Sequence, residues 1–249
     1  MPNMVAYWTP KEGTGLSEWE DGAAYSQQSG WFAVADGAST GSNSREWAFT
    51  LTSAFVRDKV DDVFDDARAG FVDWVERTRE EFDPEAAPFL PSKAPKWVQA
   101  AGSQRGSHAT LLAGQIAGGK VRAVAVGDCC LFRFSQSGAV ESFPLHTRAD
   151  FGSHPQLLRS KQSDAAVLAS AVRRYDQALD PGDVIFVASD ALAEWLTQQV
   201  RNQQVWRMLS RIGNSEFQEL CRDLRAGHQM NNDDVTLLRA STSPDLRGN

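Results

Sequence analysis

The chain has 249 residues and a formal net charge of −7, from 25 basic and 32 acidic side chains. The acidic surplus excludes the basic surface that nucleic-acid binding requires, and no apolar run reaches the roughly 20 residues of a membrane span. The three cysteines lack metal-type spacing and the first residues lack a secretory pattern, so we expect neither disulfides nor structural zinc, and a reducing, cytoplasmic location.

The first part of the chain predicts a buried strand followed by a helical region. The apolar run at residues 31–35 ends at Asp36, and residues 42–82 follow with apolar side chains at three- and four-residue steps. This stripe predicts a helix face packed on a sheet and comprises Phe64, Ala67, Phe71, Trp74, Val75, Thr78 and Phe82. Four of the ten prolines fall in residues 83–95 and predict a loop, after which residues 97–101 are expected to form a last helical turn.

From residue 107 to 140 the pattern changes to strands. Gly-Gly and Ser-Gly turns link residues 108–119, 120–135 and 138–143 and predict an antiparallel meander. Residues 145–177 are expected to be irregular. The later elements are a strand at 184–188, helical segments at 192–200, 205–212 and 216–226, and a closing strand at 235–239. Because strands come in runs and helices come in runs, we expect an α+β fold in a single domain over residues 1–249.

Four aspartates stand at or near the ends of predicted strands. Asp36 and Asp190 each follow a buried strand, Asp233 comes just before one, and Asp128 lies within the meander. An ionised carboxylate in an apolar setting is costly unless it is paired or holds a metal, and oxygen ligands select Mg²⁺ or Mn²⁺. Each aspartate taken alone is an ordinary helix cap or turn residue. Their joint occurrence indicates a two-metal site that activates a water for attack on phosphorus.

Six segments, in order, resemble the metal-dependent protein phosphatase family, also called protein phosphatase 2C. The segments are EWEDGAAY, FAVADGAS, GSHATLLAG, VRAVAVGDCCLFRF, VIFVASDALAEWL and NNDDVTLL. The resemblance covers about residues 18–240 and implies a four-layer αββα sandwich of two antiparallel sheets flanked by helices. It also implies hydrolysis of phosphoserine or phosphothreonine in a phosphoprotein, by a water that bridges two Mg²⁺ or Mn²⁺ ions, with a third, weaker ion in some members.

The resemblance further implies a role for particular residues. Asp36 would bridge both metals, and the carbonyl of Gly37 would bind one of them. Asp190 and Asp233 would complete the ligands of the first metal. Because Asp233 and Asp234 are adjacent on a strand, only one of them can face the metals, and Asp234 would lie in support behind.

Three acidic residues belong to the rest of the implied site. Glu20 would reach the second metal directly or through water, with Asp21 in support, and Asp128 matches a residue linked to the third metal. Residues 145–177 fall where family members carry a variable flap beside the site, so substrate choice is expected to reside there.

Four departures from the family pattern matter. Leu16 stands where members carry an arginine that holds the substrate phosphate; Arg45 and Arg105 are alternatives, although the sequence favours an ordinary surface charge for each. Ala191 replaces a glycine after the second aspartate, and Ala38 stands where many eukaryotic members have a histidine. The Gly-Asp-Ser-Arg motif has become GDCC, and none of these changes removes an implied ligand.

The sequence leaves three functions open. The first is a metal-dependent serine/threonine phosphatase, acting as a monomer and opposing a kinase. The second is a pseudophosphatase that binds a phosphoprotein or another partner on the same scaffold, which the leucine at position 16 favours. The third is a structural protein without metals. His108, in the GSHA segment, is interpreted as an ordinary strand histidine.

Overall fold

The computed structural model describes residues 1–15, 18–38, 43–65, 69–82, 106–152, 155–161 and 164–242. The strands are β1 Asn3–Thr9, β2 Gly22–Tyr25, β3 Trp31–Ala35, β4 His108–Ala109, β5 Leu111–Ala117, β6 Lys120–Val126, β7 Cys130–Phe134, β8 Val140–Phe143, β9 Leu158–Arg159, β10 Arg173–Ala178, β11 Val184–Ala188 and β12 Val235–Ser241. The helices of these ranges are α1 Ser44–Asp58, α2 Asp62–Asp65, α3 Ala69–Glu81, α4 Ala165–Ala171, α5 Asp190–Gln198, α6 Gln203–Leu209 and α7 Asn214–Ala226, with a 3₁₀ turn at Arg148–Asp150.

Two five-stranded antiparallel sheets form the centre of the fold. One sheet has the strand order β1-β12-β11-β7-β8, and the other has the order β10-β6-β5-β3-β2. The two-residue strands β4 and β9 pair with each other in a short third sheet. None of the helices found in the described ranges is both long enough and apolar enough to cross a membrane.

Strand β3 shows why the fold has four layers. Its five residues are all buried, and successive side chains point to opposite faces of the sheet. Trp31, Ala33 and Ala35 pack with the helices α1 to α3 in one apolar cluster. Phe32 and Val34 belong to a second cluster that fills the space between the two sheets. The continuous apolar run in the sequence is therefore a strand covered on both faces.

The other sheet is covered in the same way. Phe132 and Phe186 pack with α5, α6 and α7 in a third cluster, whereas Ile185 and Val187 face the space between the sheets. The order of layers is helix, sheet, sheet, helix, and the predicted αββα class is confirmed.

Several predicted elements have different limits in the structure. The expected helix over 42–82 is interrupted: α1 ends at Asp58, the next residue, Lys59, has a left-handed φ of 51°, and α2 and α3 follow. Strand β10, with mostly exposed side chains, lies within the segment expected to be irregular and pairs with β6. Strand β1, which pairs with β12 over seven residues, was not predicted at all. The expected loop at 83–95 and turn at 97–101 lie outside the described residues.

The segment 120–135 is two strands rather than one, because the chain crosses from one sheet to the other at Gly127. Its φ of +100° is a conformation that residues with a side chain rarely adopt. A Cβ atom there would also lie 2.5 Å from Cγ2 of Thr110. The corner between β6 and β7 therefore needs glycine for two reasons, and it places Asp128 at the end of the sandwich.

We expect Gly127→Ala to lower the free energy of unfolding by about 2–4 kcal/mol, because the strained φ and the overlap with Thr110 add together. The matched control is Gly118→Ala, where φ is +59° but no atom lies within 4 Å of the new Cβ, so a loss of about 1–2 kcal/mol is expected. Urea unfolding of both variants measures the difference, and equal losses would contradict the overlap at Thr110.

Candidate metal centre

The strand directions bring four aspartates to one end of the sandwich. Both β3 and β6 pair antiparallel with β5, so they run in the same direction and Asp36 and Asp128 follow their ends at the same edge. In the other sheet, Ala188 at the end of β11 pairs with Leu237 near the start of β12. Asp190 and Asp233 therefore lie beside each other although 43 positions separate them in the sequence (233 − 190).

A cleft of about 1230 Å³ opens at this end. Asp36, Asp128, Asp190 and Asp233 all line it, and so does Gly37. The other walls come from the segment that follows β8 and from β4 and β9, and they contain Phe151, Pro155, Leu157, Val167, Ala171, His108 and Arg159. The cleft is thus acidic at one end and largely apolar along the side that carries α4.

Three of the residues expected at the site do not line the cleft. Asp234 accepts hydrogen bonds from the backbone N–H groups of Lys11, at 2.9 Å, and Glu20, at 2.8 Å, and so ties the loop before β2 to the start of β12. The Glu20 carboxylate lies 3.8 Å from Nζ of Lys11. Asp21 is completely buried, and neither of its carboxylate oxygens has a hydrogen-bond partner among the described residues.

Gly37 is enclosed by backbone. A Cβ atom at this position would lie 2.7 Å from the carbonyl oxygen of Glu20 and 2.9 Å from that of Ser44. The strand end is held further by hydrogen bonds from the Thr110 N–H to the Asp36 carbonyl and from the Ala38 N–H to the His108 carbonyl, each 2.9 Å. Glycine is therefore required because the loop with Glu20 and the first turn of α1 both press on this point.

The burial of the acidic groups raises their pKa values. For Asp36, burial raises the pKa most, and the charges of Asp21, Asp190, Asp128 and Asp233 raise it further. Burial likewise raises the pKa of Asp128 to about 6. The pKa of Asp190 is raised to about 7 by burial and then by Asp128 and Asp233, against a hydrogen bond from the N–H of Ala191. Asp36 and Asp190 are thus close enough to each other, to Asp128 and to Asp233 for their charges to repel.

Asp21 adds a further acid behind the cleft. Burial raises its pKa well above the usual value, and Asp234 and Asp190 raise it again. The hydroxyl groups of Thr236 and Ser189 lie near enough to lower the pKa, although neither makes a hydrogen bond of good geometry to Asp21. This carboxyl group has no positive partner in the described part of the chain to offset its burial.

The backbone around Asp190 and Asp233 is fixed. Ser189, not Asp190, is the N-cap of α5, so the expectation that Asp190 is an ordinary cap is wrong. The Thr236 N–H donates to Oγ of Ser189 at 2.9 Å and joins the end of β11 to the start of β12. The buried guanidinium of Arg225 donates to the backbone carbonyl of Asp233 at 2.7 Å. Ala191, which replaces the family's glycine, lies in the first turn of α5 and is compatible with that helix.

The donor set fits a hard divalent cation. Carboxylate oxygens are the ligands that Mg²⁺ and Mn²⁺ prefer, and Oδ1 of Asp128 is buried without a hydrogen-bond partner in the described ranges. A cation would also offset the repulsion that raises the pKa of Asp36. Within the described ranges, no group of three or more acidic, histidine or cysteine side chains already has the arrangement of a metal site.

Two cleft residues were missed or left unassigned by the sequence. Arg159 carries no local signal, because it lies in the segment expected to be irregular. His108 lines the cleft, and its pKa is lowered, first by burial and then by the charge of Arg159. Arg45 lies 5.7 Å from the ring centroid of Phe49 and does not line the cleft. Leu16 and Arg105 lie outside the described residues.

The raised pKa values predict how stability depends on pH. Between about pH 4 and pH 7 the folded protein holds more protons on Asp128 and Asp190 than the unfolded chain does, so the free energy of unfolding of the metal-free protein should fall as pH rises through this window. A fall on the order of 3 kcal/mol from pH 5 to pH 7.5 is expected. Urea unfolding in EDTA measures it, and Mn²⁺ should restore more stability at pH 7.5 than at pH 5.

The variant Asp128→Asn/Asp190→Asn isolates this effect from the other titrating groups. Its metal-free stability should depend less on pH between 5 and 7.5 than that of the unchanged protein. The same slope in both proteins would show that these two carboxyl groups do not have raised pKa values.

Comparison with known proteins gives matches in structure alone. No family model matches the chain, and no curated protein matches its sequence. A bacterial serine phosphatase aligns over 98% of this chain and 99% of its own, with 14% identity and a TM-score of 0.65. The serine/threonine phosphatase PstP/Ppp of Mycobacterium tuberculosis aligns over 98% and 99%, with 16% identity and a TM-score of 0.61.

A structure of the PstP catalytic domain in complex with two manganese ions aligns over 96% of this chain and 97% of its own, with 17% identity and a TM-score of 0.61. At such identities the likeness concerns the fold. The chain therefore has the fold of these bacterial serine/threonine phosphatases, two antiparallel sheets flanked by helices, as its resemblance to the protein phosphatase 2C family implies.

Proposed function

We propose that this protein is a member of the protein phosphatase 2C family and a metal-dependent phosphatase that removes phosphate from serine or threonine of a phosphoprotein. The observation that carries the proposal is the meeting of Asp36, Asp128, Asp190 and Asp233 in one cleft at one end of the sandwich. The fold shared with bacterial phosphatases supports it, and the two manganese ions of PstP support a divalent cation.

The acidic end of the cleft is the place we assign to Mg²⁺ or Mn²⁺. Asp36, Asp190 and Asp233 would bind the ions through their carboxylates, and Gly37 through its carbonyl oxygen. Bound divalent cations supply a water of lowered pKa and positive charge beside the phosphate. Asp128 would hold a further ion at the same end.

Three residues outside the cleft have supporting roles in this proposal. Glu20, on the loop that presses on Gly37, would reach an ion through water. Asp234 holds that loop in place through the backbone of Lys11 and Glu20. Asp21 adds negative charge behind Asp36 and so favours cations at the cleft end. Such fixed surroundings keep ligands in position before the ion arrives.

Replacing Asp36 with asparagine tests the mechanism. Loss of an outer partner of a metal site costs about 10–100-fold in metal affinity or activity, so neutralising a direct ligand should lower Mn²⁺-dependent hydrolysis of p-nitrophenyl phosphate and of a phosphothreonine peptide by more than about 100-fold. The matched control is Asp223→Asn on α7, whose side chain is 77% exposed. Its rate should equal that of the unchanged protein. Hydrolysis that persists both in EDTA and in Asp36→Asn would refute the metal mechanism.

The second candidate is a pseudophosphatase that binds a phosphoprotein or another partner without turning it over. One observation favours it, namely the leucine at position 16. Titration calorimetry with Mn²⁺ separates the candidates. Tight Mn²⁺ binding without hydrolysis of any phosphopeptide supports the pseudophosphatase, and turnover rejects it.

A further inference from the structure

Two pairings between neighbouring backbone segments connect Arg159 to the acidic end of the cleft. The isolated bridge between Gly37 and Ala109 joins the end of β3 to β4. On β4, His108 pairs directly with Arg159 of β9. Since neighbouring strands lie about 4.8 Å apart, the backbone of β9 at Arg159 lies about 10 Å from the backbone of Gly37. Both His108 and Arg159 line the cleft.

The backbone of β9 is held by side chains from two helices. Nε of Arg79, on α3, donates to the carbonyl of Arg159 at 2.8 Å, and the Arg79 side chain is only 6% exposed. Nε1 of Trp47, on α1, donates to the carbonyl of Leu158 at 3.0 Å. The position of Arg159 is therefore determined by the helical layer beneath it, although the residue itself is exposed.

The residues after β9 are also fixed. The Ser160 N–H donates to the carbonyl of Ser107 at 2.9 Å, and the Ser107 N–H donates in return to Oγ of Ser160 at 2.9 Å. Such pairing on both sides of Arg159 is what a preorganised binding residue requires, because little entropy is lost when a ligand arrives.

The guanidinium group itself has no partner in the described part of the chain. Arg159 forms no ion pair there, and its side chain makes no hydrogen bond to the described residues. Among the described residues that line the cleft, it is the one lysine or arginine. The charge of Arg159 also acts on a neighbouring residue of the cleft, since it lowers the pKa of His108.

We propose that Arg159 binds the phosphate group of the substrate and so takes the part that Leu16 cannot perform. This inference rests on the proposed function of the cleft. A planar guanidinium donates two parallel hydrogen bonds to phosphate oxygens, and Arg159 lines the same cleft as Asp36, Asp128, Asp190 and Asp233. The group that Arg159 would bind is accordingly the phosphate of a phosphate monoester.

Three variants test the inference, each assayed with Mn²⁺ and a phosphothreonine peptide. Arg159→Gln should raise KM and the inhibition constant of inorganic phosphate by about tenfold or more, because charge-assisted hydrogen bonds to phosphate are lost, while kcat changes by less than about threefold. Arg159→Lys should recover part of the loss. Arg201→Gln removes an equal charge from an exposed turn outside the cleft and should change neither constant.

A purely structural role for Arg159 would give a different pattern. It would shift the Mn²⁺ concentration needed for half-maximal activity and the unfolding midpoint, and Arg159→Lys would restore both without restoring KM. Unchanged KM and unchanged inhibition by phosphate in Arg159→Gln would likewise overturn the inference.

A second measurement keeps the inference separate from the phosphatase proposal. Titration calorimetry of inorganic phosphate into Mn²⁺-loaded protein needs no turnover. If the unchanged protein is inactive but binds phosphate, and Arg159→Gln binds it about tenfold or more weakly, the phosphatase proposal fails and the assignment of Arg159 stands. Equal binding by both proteins, or no binding by the unchanged protein, overturns the assignment.

Discussion

Repulsion among buried carboxylates is the constraint on which the cleft end of this fold depends. Burial and four neighbouring acids raise the pKa of Asp36, and Asp21 lies behind it without any positive partner in the described chain. Charged groups in such a setting disfavour the folded state, so the stability must come from elsewhere. Three apolar clusters, two under the helices and one between the sheets, supply it. The apolar packing of the sandwich therefore holds together carboxyl groups that repel one another.

The aspartates of the cleft are held in position because they stand near strand ends whose backbone is fixed by close packing or hydrogen bonds. The crossing at Gly127, the bond between Ser189 and Thr236, and the close packing of Gly37 on the Glu20 loop each determine where one carboxylate stands. None of these contacts involves the carboxylates of the cleft directly. Substitutions at these positions are therefore expected to move the carboxylates of the cleft without changing how many there are.

The sequence predicted those parts of the fold whose signal is local. Strand β11 has the predicted limits, because five apolar residues follow a Pro-Gly turn. The four layers were implied by the resemblance to the phosphatase family, and the strands buried on both faces account for them. Strand β10 was missed because only Tyr175 of its six side chains is buried, so an edge strand shows no apolar alternation. The sheet crossing at Gly127 was missed because the apolar pattern continues through it. Arg159 was missed because its cleft position comes from pairing with His108, 51 positions away in sequence (159 − 108).

The hydrogen bonds that hold β9 matter because one cleft contains both carboxylates and the guanidinium group of Arg159. An arginine paired with these carboxylates would occupy the positions that we propose for the cations. Arg79 and Trp47 hold the backbone of β9 from the helical side, and the Ser107–Ser160 pairing fixes it again. In the proposed complex, a phosphate dianion in this cleft would contact cations held by the aspartates and also the guanidinium group of Arg159.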